Sequence, residues 1–231
     1  ARVYGPEGMG EYAGFLMFLS LFGTIAMFAL PRAVLKFVAE YEEKGQMTRA
    51  RSLFSTVFIF TTIACLLLAV LSQLFTPALA GLVDLPSNRL LSLVLEVTLI
   101  LSAQSMLTST LFLSVLQNIR AFLISISSQI AMLCLAAYAY LAAPFPVFLL
   151  LAGGYLVSGL VGSGLAGRQG LLKLEFSIEE LKKAFRFSLP IILMSYLGFF
   201  VEWFDRFTLG MYFGVKEMGL FSAGLAAFAA G

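Results

Sequence analysis

The chain has 231 residues, of which 60% are apolar and 12% charged, with a formal net charge of +2 and no histidine. Soluble domains carry roughly 25% charged residues, and a water-soluble globule of this length could not hide so much apolar surface. The missing histidine excludes Ser-His triads and histidine-ligated metals, and so small a net charge gives no support to nucleic-acid binding.

The chain opens on YGPEGMGEYAG, residues 4–14, and a charge-free span then runs from Tyr12 to Leu30, where Pro31-Arg32 is expected to stop it. About 20 apolar residues at 1.5 Å per residue cross the hydrocarbon core of a bilayer, so this is a membrane-spanning helix. A second span is expected over about Leu53–Phe75, closed by the loop Thr76–Asn88, in which Pro77, Gly81, Pro86 and Asn88 cluster. The third covers Leu90–Leu116 with a single charge, Glu96. The 47-residue run Ala121–Gly167 is too long for one crossing, and Pro144-Phe145-Pro146 divides it into Ala121–Ala143 and Val147–Ala166. A sixth span starts near Phe187 and reaches about Tyr212, and residues 220–231 begin another apolar segment. The fold class that follows is all-α, a polytopic membrane bundle with six full crossings.

Several elements carry finer signals. In the fifth span Gly154, Ser158, Gly162, Ala166 and Gly170 recur every fourth residue, with Gly159, Ser163 and Gly167 beside them, a pattern that lets helices approach closely. Packing within the bundle is the default reading and a sliding contact the alternative. Cys65 and Cys134 sit in different apolar spans and read as small buried hydrophobes, with no disulfide implied. Between the fifth and sixth spans, Ser177 reads as an N-cap, Glu180 as its capping-box partner, and Phe176 with Leu181 as the staple. Ile178, Leu181 and Phe185 then form one face of a short interfacial helix ending at Arg186, a linker between bundles.

Charges in the connections orient the spans. Eleven Lys and Arg fall in alternate links: Arg32, Lys36, Lys44, Arg49, Arg51 in one, Arg120 in the next, and Arg168, Lys173, Lys182, Lys183, Arg186 in the third. The other side has only Arg2, Arg89 and Lys216, which is the positive-inside pattern, with the basic links cytoplasmic.

The opening phrase returns at residues 213–224 as FGVKEMGLFSAG. At a shift of 209 positions Gly5 falls on Gly214, Met9 on Met218, Gly10 on Gly219 and Tyr12 on Phe221. Six crossings separate the copies, an even number, so both lie on one side, as in transporters built from parallel repeats about an axis along the membrane normal. A full crossing precedes the second phrase and none precedes the first, so the sequence reads as a fragment lacking its first helix and most of its second half.

Polar residues at membrane depth are the site candidates. Glu96, Gln104, Glu202, Asp205 and Arg206 are costly there and usually face a bundle interior or a wet cavity. Glu202 and Arg206, four apart, share a helical face and can pair. An ion pair that locks two helices competes with a substrate role. Arg32, at a helix end, can instead snorkel to the interface.

The stretches RVYGPEGMGEYAG, RAVLKFVAEYEEKGQMTRARSLFS and FSIEELKKAFRFSLPIILMSYLGFFVEWFDRFTLGMYFGVKEMGLFSAG resemble the polysaccharide-biosynthesis flippases of the multidrug/oligosaccharidyl-lipid/polysaccharide exporter superfamily. The resemblance spans essentially the whole chain. It implies a two-lobe architecture of twelve to fourteen helices, of which this chain would be helices two to seven. Residues 1–170 would form most of the N-terminal lobe, 171–186 the linker, and 187–231 the start of the C-terminal lobe. It also implies the function: alternating-access translocation of a lipid-linked oligosaccharide or polysaccharide precursor across the cytoplasmic membrane of a prokaryote. The Asp205-Arg206 of FDRFTLG sits where the flippases carry a similar pair at the end of their seventh helix.

Arg206, Asp205, Glu202, Arg32, Glu96 and Gln104 are therefore the expected substrate-binding residues. Arg206 would meet the diphosphate, with Asp205 and Glu202 holding it or accepting a cation. No catalytic residue, metal or cofactor is expected, and coupling to a cation or proton gradient is left open. The expected partners are the lipid-linked glycan, membrane lipid and glycan-assembly proteins, with no nucleic acid. A cation-coupled multidrug exporter of the same superfamily is the alternative. A membrane-embedded glycan transferase or polymerase is a further one, although it would need a larger outer loop or an acidic catalytic motif.

Overall fold

The computed structural model describes residues 5–82, 89–141, 145–171 and 175–230. Among the described residues eight helices follow one another without a strand. They are α1 (Gly5–Met27), α2 (Leu30–Glu43), α3 (Met47–Leu82), α4 (Arg89–Ser114), α5 (Asn118–Leu141), α6 (Phe148–Arg168), α7 (Ile178–Phe213) and α8 (Val215–Ala230). Six of these, α1 and α3 to α7, are long and apolar enough to cross a bilayer, and they are the six expected crossings. The chain is a polytopic helical bundle.

The helix boundaries differ from the expectation at the prolines. The first span breaks before Pro31, at Phe28 and Ala29, whose φ angles of 47° and 54° are left-handed. Pro31 then lies in the first turn of α2, where its missing N–H leaves no hydrogen bond unmade. Arg32 and Lys36 therefore stand on a helix rather than in a loop. Likewise α3 continues through Pro77 and Gly81 to Leu82, which removes half of the expected outer loop. The rest of that loop, with Pro86, lies outside the described residues, as does Pro144.

The basic end of the bundle is closed by a repeated device. After α2, Gln46 N–H donates to Tyr41 O and Gly45 N–H to Glu42 O. After α4, Gln117 donates to Phe112 O and Leu116 to Leu113 O, and after α6 Leu171 donates to Ala166 O and Gly170 to Gly167 O. Each is a Schellman motif that satisfies the last carbonyls of its helix around one left-handed residue. Gly45 takes that role at φ 69°, a conformation glycine reaches without strain.

Ser177 caps α7 as expected, accepting from the Glu180 N–H. The helix it starts does not end at Arg186. It runs on through Pro190 into the sixth crossing, 36 residues in one rod, or about 54 Å at 1.5 Å per residue, against a hydrocarbon core of about 30 Å. Its N-terminal turns thus project beyond the bilayer. The inward face there is Ala184 and Ser188, with Phe185 and Phe187 packed on the core, while Ile178 is 61% exposed.

Two apolar clusters fill the bundle. One, at the basic end, joins Val34, Phe37 and Tyr41 of α2 to Phe54, Phe112, Ile124, Ala166 and Ala184. The other, at the end of the glycine phrases, joins Phe15, Phe18 and Phe22 of α1 to Leu95, Leu99, Phe148 and Trp203. α4 is the central element, packed by α1, α2, α3, α5 and α6. The small residues of α6 make that possible: the space a side chain would need at Gly159 is taken by Leu101, and at Gly162 by Thr108, both on α4. Cys65 is buried as expected, but Cys134 is exposed on the outer surface of α5.

Candidate functional site

The two glycine phrases meet. A methyl group at Gly10 would overlap the carbonyl oxygen of Val215, and one at Gly219 would overlap the carbonyl oxygen of Pro6. Gly10 and Gly219 are partners at the 209-residue shift, and so are Pro6 and Val215. Each side of the contact is therefore the other's copy, the relation expected of two patches joined by a two-fold axis. The backbones agree: Gly5 and Gly214, partners again, both take positive φ, 66° and 87°. Absence of side chains at the crossing lets α1 and α8 approach backbone to backbone.

Beside this crossing lies the charged part of α7. Trp203 is buried to 7% exposure against the α1 cluster. Arg206 lies over its ring, with the guanidinium carbon 4.6 Å from the centroid, and donates to the backbone carbonyl of Glu202 at 2.9 Å. The side-chain pair expected between Glu202 and Arg206 is not formed. The ion pair present among the described residues is Lys44–Glu40, 2.6 Å apart at the other end. The carboxylates of Glu202 and Asp205 are exposed. A stack and a backbone acceptor thus hold Arg206, and no ion pair to it is formed among the described residues. Next to it, Met17, Phe18, Leu21, Phe199, Phe200, Trp203, Phe204 and Phe207 line an apolar cleft of about 240 Å³ between α1 and α7.

The other expected site residues lie apart from this group. Glu96, half-buried on α4, accepts from the Gln73 amide of α3 at 3.5 Å through one oxygen, while its other oxygen is buried without a partner among the described residues. Gln104 is half-buried lower on α4, and Arg32 is exposed in the first turn of α2. Arg206, Glu202 and Asp205 are gathered on one stretch of α7; the structure does not bring Glu96, Gln104 and Arg32 to them.

A family described as polysaccharide biosynthesis protein matches residues 1–227, nearly the entire chain. The chain belongs to that polysaccharide biosynthesis family. No curated protein and no solved structure matches it.

Within this family member, sequence reasoning missed two features. The Trp203–Arg206 stack was legible in principle, because residues three apart lie on one helical face. The second is a polar relay at the basic end in which Lys183 donates to the Tyr41 hydroxyl at 2.9 Å and that hydroxyl donates to Glu180 at 2.8 Å. Its members are 139 and 142 positions apart, and no local signal joins them.

Proposed function

We propose that this membrane protein of polysaccharide biosynthesis is a flippase, which moves a lipid-linked oligosaccharide or polysaccharide precursor across the cytoplasmic membrane of a prokaryote. The observation that carries the reading is the two-fold-like crossing of α1 and α8 at Gly10 and Gly219. Two repeat-related lobes that rock against one another around a fixed site would seal one side of the membrane through a contact of this kind. Residues 1–170 belong to one lobe and 187–231 begin the other. The basic end faces the cytoplasm.

In this reading the α7 group is the polar part of the pathway. Arg206, held by its stack and backbone acceptor, meets the diphosphate of the substrate. Glu202 and Asp205 orient it or accept a coupling cation or proton, and Glu96, Gln104 and Arg32 border the route. Translocation needs no bond to be made or broken, so no catalytic residue or cofactor is assigned. The presence of these charges supports the reading, since a charge costs ~2.5–3.5 kcal/mol at the bilayer centre on insertion scales and less toward the interface. Arg206→Gln and Asp205→Asn in the full-length protein are expected to abolish flipping of a lipid-linked oligosaccharide while expression and thermal stability stay near normal. Loss of folded protein in step with activity in both variants would assign the group to structure instead.

A further inference from the structure

A pocket of about 380 Å³ opens between α2 and α7 at the basic end, lined by Phe37, Lys182, Lys183, Arg186 and Phe187. Two ammonium groups stack on its rings. Lys36 Nζ lies 4.4 Å from the centroid of Phe187 and 5.1 Å from that of Phe37, and Lys183 Nζ lies 4.2 Å from the same Phe37 ring. Both cations thus sit within about 5 Å of one ring, an arrangement that like-charge repulsion opposes. The neighbouring acids have partners of their own, although Glu40 also lies within electrostatic reach of Lys183 and Lys36. Glu40 is paired with Lys44, and Glu180 accepts from Tyr41, whose phenol burial pushes above its ordinary value so that it stays a donor. Lys36, Lys182 and Arg186 have no ion-pair partner among the described residues.

We infer that this pocket is an anion site for a phosphate or diphosphate group, bound between α2 and α7 and separate from the Arg206 group. The chemistry selects the ligand. Ring faces hold the ammoniums in place but contribute no negative charge, and the pocket lining has three cationic side chains and no acid. A phosphate or diphosphate presents several strong acceptors to such a cluster, and charge-assisted hydrogen bonds of this type are the stronger ones. The apolar rings of Phe37 and Phe187 suit a group carried on an apolar body, and the pocket lies beside Phe187, where the charge-free part of α7 begins. An anion bound there bridges α2 to α7. It comes either from anionic lipid headgroups of the bilayer or from the diphosphate of a lipid-linked precursor; only the second source rests on the flippase reading.

The test uses the full-length protein in phosphatidylcholine nanodiscs, titrated calorimetrically with inorganic diphosphate. Saturable binding is expected in the Arg206→Gln background, where the α7 group cannot supply it, weakened about tenfold or more by Lys182→Gln and again by Arg186→Gln. Lys182 and Arg186 are both exposed, and thermal melts of the two variants check that they fold. Adding phosphatidylglycerol separates the sources. Competition by that lipid assigns the pocket to bilayer headgroups, whereas competition by a polyprenyl diphosphate alone assigns it to the precursor; either result supports the site. No saturable binding of diphosphate in phosphatidylcholine, or binding that survives both substitutions, overturns it. Flipping is not read in this experiment, so its failure leaves the transport reading to be judged separately.

Discussion

Among the described residues, three non-glycine residues hold left-handed backbone, Phe28, Ala29 and Leu116. The conformation costs an L-residue about 1–2 kcal/mol, and the structure must offset it locally. At Phe28 it does: the ring packs edge-on against Phe60 and Phe185 with centroids 6.2 and 5.7 Å away. The adjoining Ala29 carbonyl accepts from the Ser188 hydroxyl, tying the break to α7. Leu116 has no such compensation, for its side chain is 84% exposed. Leu116→Gly is therefore expected to stabilise the protein by about 1 kcal/mol, since glycine takes the Schellman position without strain. Denaturant titration in detergent checks the sign; destabilisation would mean that the Leu116 side chain is buried against something outside this chain.

At the scale of elements, the α1–α8 seam carries the sharpest expectation. Gly10→Ala and Gly219→Ala each drive a methyl group into a backbone carbonyl, which a close-packed seam resists at about 1–3 kcal/mol. Because the contact is repeat-related, the two variants should lose similar stability, and the double variant should lose less than their sum, since one seam is broken twice. Gly164→Ala, where nothing lies within 4 Å of the added carbon, is the control and should be neutral or better. Either seam variant behaving like Gly164→Ala contradicts the crossing.

The crossings themselves were legible because charge-free runs near 20 residues have one physical explanation. Their ends were not. Pro31 and Pro77 lie inside helical segments, one in a first turn where its lost donor is harmless, and proline alone cannot say which side of a break it occupies. The α7 charges stand out by their cost at membrane depth. The partner of Arg206 does not, since a carboxylate four residues away competes on equal spacing terms with an indole three residues away. The likeness of the two glycine phrases reads as a repeat, but their contact across 209 positions depends on how α1 and α8 pack, which no local pattern encodes.

At the scale of the whole molecule, the Schellman-closed turns, the polar relay and most Lys and Arg gather at one end, and the glycine crossing lies at the other. With the exposed Cys134 first replaced by serine, a cysteine at Lys216 is expected to react with an impermeant thiol reagent in intact cells and one at Lys44 to stay unlabelled. The reverse pattern would invert the orientation. The central claim is that this architecture moves a lipid-linked glycan. Its most direct measurement is reconstitution of the full-length protein in liposomes with a fluorescent polyprenyl-diphosphate oligosaccharide, followed by a probe that modifies only the outer-leaflet sugar. The account predicts that the protected inner-leaflet fraction becomes accessible with native protein and stays protected with Arg206→Gln. An inner-leaflet fraction that remains protected with well-folded native protein would contradict it.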